Sequence, residues 1–220
     1  MRYYPVNLDV RHRDCLVVGG GSVAERKVRT LLECGAKITV ITLGATEHLE
    51  ALGANSHISL RFKGYQSSDL DGRFLVIGAT DDELTNQTIS QDAAARGILC
   101  NIADRPGVCT FVLPAIACQG DLVIAISTSN KSPAVAKYIR QAMEKEFGPE
   151  YAALLNLMGA IRQRFMAEAK SPEAHKELFD RLLDKGLLEM IREDRLQDVD
   201  ALLNEVLGNG YTWKDLVTSH

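Results

Sequence analysis

A short apolar run that stops on three glycines and restarts as a helix constrains this chain more than any other feature. Asp14-Cys15-Leu16-Val17-Val18 reads as a buried strand entering the tight turn Gly19-Gly20-Gly21. Ser22 to Cys34 follows as a helix, with Val23, Lys27, Thr30, Leu31 and Cys34 at helical spacing and Gly35 as its stop. The string Val17 to Ala24 fits the pattern G-x-G-x-x-G/A, with Gly19, Gly21 and Ala24 at its three key positions. Gly19 lets the strand turn sharply, Gly21 has no Cβ to block a pyrophosphate, and Ala24 is small enough for the helix to pack on the strand. The helix N-terminus then offers free N–H groups and a positive dipole end to phosphates. Glycine turns also arise for steric reasons alone. A strand before, a helix after and a second strand about twenty residues on supply the context a dinucleotide site needs.

That alternation continues. Lys37 to Ile41 is a second strand, rich in β-branched residues. His57–Phe62, Arg73–Ile77 and Ile98–Ile102 are three more, with a helix from Asp82 to Arg96 stopped by Gly97. Strands separated by helices predict an α/β, Rossmann-like, doubly wound parallel sheet covered on both faces, over residues 1–113. Phe111–Pro114 and Leu122–Ile126 read as two strands joined by Ala117–Asp121, too short a link for a helical crossover, hence an antiparallel hairpin. A helix from Ala134 to Phe147 follows, broken by Gly148-Pro149. Residues 114–147 form a small dimerisation region in this reading, because hairpin and helix carry more apolar surface than an edge should leave open. Residues 148–220 read as all helical. Leu154, Leu155, Leu157, Met158, Ile161, Phe165 and Met166 form one stripe; Phe179, Leu182, Leu183, Leu187 and Leu188 a second; Val199, Leu202, Leu203, Val206 and Leu207 a third.

Composition removes several classes of function. The 220 residues are 46% hydrophobic and 25% charged, with 25 basic against 29 acidic side chains. That balance argues against nucleic acid as a partner. No run approaches the length of a membrane span, and Met1 to Arg13 lacks a signal peptide's apolar core. The cysteines Cys15, Cys34, Cys100, Cys109 and Cys118 are odd in number and widely spaced, which predicts reduced thiols in a cytoplasmic protein and no thiolate metal site.

Four clusters carry candidate chemistry. After the second strand the chain reads Thr42-Leu43-Gly44, with no acid until Glu47 and no Arg for a 2′-phosphate. The adenosine ribose is then left to backbone groups or Thr42, and NAD is favoured over NADP. Thr80 and Asp81 follow the fourth strand, where they face a nicotinamide or serve, with Asp82, as an ordinary helix cap. Asp104 follows the fifth strand and is either a general base or the opener of the Arg105-Pro106-Gly107 turn. Ser127, Thr128 and Ser132 cluster before Pro133 at a helix N-terminus, with Lys131, Lys137 and Arg140 nearby, as an anion site or as a well-capped helix.

Taken together, Val18-Gly19-Gly20-Gly21-Ser22-Val23-Ala24-Glu25-Arg26-Lys27, Ala79-Thr80-Asp81-Asp82, Asn101 with Asp104, Pro114-Ala115-Ile116, and Ser132-Pro133 with Ile139-Arg140 resemble the precorrin-2 dehydrogenase family, the dehydrogenase and ferrochelatase module of siroheme synthases. The match is close over residues 1–147; the helical tail matches in type and length. The resemblance implies NAD-dependent oxidation of precorrin-2 to sirohydrochlorin, followed in some members by Fe²⁺ insertion, in a homodimer. By position it implies Ser22, Val23, Leu43 and Gly44 as cofactor contacts and Asp104 as the central carboxylate. A tetrapyrrole ringed with carboxylates needs cations, for which Arg105, Lys131, Lys137 and Arg140 are candidates. Where the family often has Gly-Gly in its polar loop, this chain has Ser129-Asn130. The competing reading is a regulatory module that binds NAD without turning it over.

Overall fold

A computed structural model of the chain describes residues 2–167 and 172–217. It falls into two compact units, Met1–Leu113 and Pro114–His220.

In the first unit, β1 (Asp14–Val18), β2 (Lys37–Thr42), β3 (Ser59–Phe62), β4 (Leu75–Gly78) and β5 (Leu99–Ile102) form one sheet in the order β3-β2-β1-β4-β5. Every pairing is parallel. The strands β1, β2, β4 and β5 are largely buried, because their side chains alternate between two cores, whereas the edge strand β3 is mostly exposed. Cys15 and Val17 face the cluster that takes Val28 of α1 (Ser22–Glu33) and Leu49 of α2 (Glu47–Ala54). Leu16 and Val18 face the cluster that takes Ile89 and Ala93 of α3 (Glu83–Arg96). The doubly wound sheet is therefore present, and its strand order reverses between β1 and β4. The crevice at the carboxyl ends of those strands is where open sheets of this kind bind ligands.

Two details differ from expectation. The buried stripe of α1 is Ala24, Val28 and Leu31, one position round from Val23 and Lys27, which are half-buried. The small Ala24 lets the helix sit close on β1, which turns that face inward. Helix α2 is absent from the expectation; it buries Leu49, with Leu52 packed on the same core, and Thr46 caps its start by accepting the Leu49 N–H at 3.3 Å.

In the second unit, β6 (Ala115–Gln119) and β7 (Leu122–Ile126) form the antiparallel hairpin. Its first strand starts four residues later than the Phe111 the sequence predicts. Pro114 has no N–H to give a ladder, and the preceding residues are held elsewhere: Thr110 N–H donates to Cys100 O at 2.9 Å and the Asn101 amide to Phe111 O at 3.0 Å. The connection shrinks to Gly120-Asp121, with Gly120 at φ +57°. Helix α4 (Pro133–Glu146) packs on the hairpin. Then come α5 (Glu150–Ala167), α6 (Pro172–Asp184), α7 (Leu187–Arg192), α8 (Leu196–Leu207) and α9 (Trp213–Val217) around Leu157, Ile161, Phe165, Leu182, Leu187 and Leu203. Leu155, Met166 and Leu183, expected in the apolar stripes, are exposed.

Candidate functional site

Gly19, Gly21, Ser22, Val23, Thr42, Leu43, Gly44, Thr80 and Asp81 all line one cleft of ≈ 750 Å³ at the carboxyl ends of β1, β2 and β4. The three glycines do different work there. Gly19 has φ +123°, and a Cβ on it would stand 2.2 Å from the carbonyl oxygen of Ala79. It lets the loop after β4 close on the loop after β1. Gly20, a free position in the fingerprint, is as tightly constrained: a Cβ there would be 2.1 Å from Gly44 O. Nothing lies within 4 Å of a Cβ at Gly21, so its space opens into the cleft.

Gly21 is also the N-cap of α1, and it supplies no side-chain acceptor. The first helical bond is Glu25 N–H to Gly21 O at 3.0 Å. The amides of Ser22, Val23 and Ala24 come before it and have no acceptor among the described residues. Three unpaired donors at a positive dipole end, beneath a glycine with no Cβ, fit a pyrophosphate. The residues present therefore suit a dinucleotide.

At the other end of the cleft the Thr42 hydroxyl donates to Gly44 O at 2.6 Å and accepts the Gly44 N–H at 3.3 Å. Thr42 thus shapes the loop after β2, and its hydrogen is not available to a ribose. Leu43 is 85% exposed on the rim of the cleft. Lys63, Gly64 and Tyr65 complete this wall, and the sequence reading missed them. The available signal was their place just after β3, next to β2 in the sheet. Burial, reinforced by a hydrogen bond to Asp92 (2.9 Å), pushes the Tyr65 phenol far above its usual range, so it stays protonated.

The cluster after β4 divides its two readings between neighbours. Asp82 is the cap of α3, accepting N–H groups of Leu84 at 3.3 Å and Thr85 at 3.0 Å. The Thr85 hydroxyl and amide hold its carboxyl below the usual range. Asp81 takes no part in the cap and lines the cleft. The Asn86 amide donates to Thr80 O at 2.8 Å, and the Thr80 hydroxyl lies 3.1 Å from Asn86 Oδ1. Asn86 thereby pins the loop that carries Thr80.

Asp104 lies outside that cleft lining, exposed after β5 with φ +58°. Arg105, not Asp104, precedes the 3-10 turn Pro106–Val108, and no side chain caps it. The turn is held instead by Cys109, whose Sγ accepts the Ile102 N–H at 3.1 Å and donates toward Arg105 O at 3.1 Å. These contacts bracket Asp104 on both sides. Burial pushes the Lys27 ammonium below the usual lysine range, Arg26 adds to this, and nearby Asp104 opposes it. Arg105 is paired with Glu83 at 2.8 Å on the surface.

The polar loop of the second unit is largely self-satisfied. Ser127 Oγ accepts the Ser129 N–H at 3.2 Å, Thr128 Oγ1 accepts the Ser132 N–H at 3.3 Å, and Ser132 Oγ caps α4 through the Val135 N–H at 3.2 Å. Ser129 and Asn130 sit at φ +52° and +63°, the region glycine prefers, so the loop keeps a backbone suited to Gly-Gly. Arg140 is ion-paired to Glu144. Lys131 and Lys137 are exposed, with no ion pair among the described residues.

Burial pushes the Cys15 and Cys100 thiols up to about 11, which leaves them unreactive at neutral pH. Among the described residues, no helix is long and apolar enough to cross a membrane, and no group of three or more His, Cys, Asp or Glu is placed to hold a metal ion.

A family model described as NAD(P)-binding matches residues 6–115. The chain is 34% identical over 205 residues to a siroheme synthase of Methylococcus capsulatus, covering 93% of this chain and 43% of that one. It is 35% identical over 211 residues to a siroheme synthase of Nitrosomonas eutropha, covering 95% and 44%. It thus spans less than half the length of these relatives. Among solved structures it is similar to SirC, a precorrin-2 dehydrogenase, with a TM-score of 0.75 at 25% identity over 90% of this chain and 100% of that one.

Proposed function

Since this chain belongs to the NAD(P)-binding family whose model spans residues 6–115, we propose that it oxidises precorrin-2 to sirohydrochlorin with NAD. The observation that carries this is the bare N-terminus of α1 in the cleft, in a chain similar to siroheme synthases and to a precorrin-2 dehydrogenase.

The pyrophosphate is held by the amides of Ser22, Val23 and Ala24, with Gly21 leaving the room. Gly44 and Leu43 take the adenosine side. Thr80, fixed by Asn86, and Asp81 flank the nicotinamide side. The bound dinucleotide supplies the hydride acceptor. What remains for the protein is the proton that leaves the tetrapyrrole along with the hydride. Asp104 takes it. Its carboxylate is exposed, no side-chain hydrogen bond ties it down among the described residues, and its backbone is fixed by Cys109. Arg105, Lys131, Lys137 and Arg140 pair with the substrate's carboxylates. For Arg105 and Arg140 this means exchanging surface partners, which costs little because exposed pairs are weak. Ser127, Thr128 and Ser132 hold the loop that presents Lys131. The same carboxylate of Asp104 serves Fe²⁺ insertion by accepting pyrrole protons as the metal enters.

Two copies of the chain pair through the hairpin, whose outward face of Ile116, Cys118, Val123 and Ala125 is exposed and apolar. The reaction runs in the cytoplasm, in keeping with five cysteines that form no disulfide.

Purified protein mixed with NAD⁺ and precorrin-2 should generate NADH, and Asp104→Ala should lose turnover by roughly 10²–10⁴-fold while NAD⁺ still binds. Binding without turnover by the native protein would instead mark an NAD sensor. A destabilised Asp104→Ala with near-normal turnover per folded molecule would make Asp104 a turn residue only.

A further inference from the structure

The adenosine end of the cleft holds a cation that points away from it. Lys63 follows β3, and its amide N–H donates to Thr42 O at 3.0 Å. This bond sets Lys63 beside the last residue of β2, where sheets of this kind hold the adenosine ribose. Among the described residues it is the one basic side chain lining the cleft. Its Nζ lies 2.6 Å and 2.8 Å from the two carboxylate oxygens of Asp69.

Asp69 is an anchored partner. It is 8% exposed, its Oδ2 also accepts the Gln66 N–H at 2.9 Å, and its carbonyl accepts Arg73 Nε at 3.1 Å. A 2′-phosphate is recognised by a cation free to turn toward it. Lys63 is the side chain placed to do this, and Asp69 both neutralises it and draws it to the cleft wall. Leaving Asp69 would strand a buried carboxylate without its counter-ion, a costly exchange.

We propose that the Lys63–Asp69 pair sets the cofactor choice, admitting a dinucleotide with a free 2′-hydroxyl and rejecting the 2′-phosphate by withholding the one cation that could meet it. The proposal rests on the reading of the cleft as an NAD site, and it adds residues that determine specificity. Lys63 is then a suppressed phosphate ligand, and removing the charge of Asp69 releases it.

Calorimetric titration of NAD⁺ and NADP⁺ tests this directly. Asp69→Asn keeps an acceptor for the Gln66 N–H and loses the charge. It should tighten NADP⁺ binding by about tenfold or more and leave NAD⁺ within about threefold of the native protein. Adding Lys63→Gln to Asp69→Asn should abolish the gain. An unmoved ratio of the two affinities in folded Asp69→Asn, or a gain that survives in the double variant, overturns the proposal. Should Asp69→Asn fail to fold, Lys63→Gln alone decides, since that side chain is 35% exposed. The affinity ratio should then stay within about threefold, whereas a tenfold loss confined to NADP⁺ shows that the ammonium already serves the phosphate and overturns the idea. Native protein that binds neither dinucleotide defeats the cofactor reading itself, and this proposal with it. Native protein that binds NAD⁺ with an unmoved ratio in the variants defeats this proposal alone.

Discussion

The N-termini of α1 and α4, the first reached through glycines and the second through hydroxyl side chains, are built in opposite ways. At α1 the cap position is Gly21, with no side-chain acceptor and open space where a Cβ would be. At α4 the cap is Ser132, its oxygen already bound to the Val135 N–H, with Pro133 removing one more donor. Each helix has the same dipole and the same orphan amides in principle. The difference is whether the chain spends them on itself. An N-terminus sealed by its own side chain is a stability device; one left bare in a cleft is a binding device. Helix α3 belongs with α4, because Asp82 seals it. The anion reading of the sequence therefore rests on bare amides at α1, and around α4 on the cations Lys131, Lys137 and Arg140 alone.

Four experiments test that contrast. The largest effect should come from Gly19→Val, which forces a side chain into Ala79 O and an L-residue into φ +123°. We expect about 3 kcal/mol or more of lost stability, read by chemical denaturation. A stable, NAD-binding Gly19→Val would show that the loops after β1 and β4 need not meet. Next, Gly21→Asp should keep its melting temperature and lose NAD⁺ affinity by at least tenfold, about 1.4 kcal/mol, because a carboxylate then occupies the anion's place. Unchanged affinity by calorimetry would remove α1 from the binding site. Ser132→Ala should do the reverse at α4, costing about 1 kcal/mol of stability without altering NAD⁺ binding. The smallest effect concerns Asp82. Its pKa is lowered in the folded state, chiefly by the Thr85 hydroxyl and amide. Its contribution is therefore fully present above the unfolded carboxyl value, about 3.9, and is lost as pH falls through the lower folded value. Asp82→Asn should remove that contribution near neutral pH, lowering the melting temperature slightly there, and converge with the native protein in acid, so that the acid limb flattens; an unaltered acid limb would dismiss the capping role.

How much of this was legible depends on the range of the interaction responsible. The strand β1, the glycine turn and the start of α1 are set by neighbours in the chain, and Asp14–Val18 and Ser22 fall where the local pattern puts them. The start of the hairpin was misplaced because Asn101 and Cys100, about ten residues away, hold Thr110 and Phe111. Apolar spacing says nothing of such bonds. The face of α1 was off by one position for a similar reason: which side of an amphipathic helix goes inward depends on how closely it approaches β1, and Ala24 permits a closer approach than Val23.

By itself the sequence determined the alternation of strands and helices, the parallel sheet, the Gly19-Gly20-Gly21 turn and the candidate carboxylate Asp104. These follow from φ preferences, side-chain periodicity and the rule that ligands meet sheets at carboxyl ends. Only the tertiary structure decided that Gly20 is as constrained as Gly19, that Asp82 caps α3 while Asp81 takes no part in the cap, that Cys109 braces the chain around Asp104, and that Lys63 lines the cleft bound to Asp69. Each of these depends on which groups meet across the fold. Whether a hydroxyl, thiol or ammonium is available to a ligand is settled by the partners it has already found.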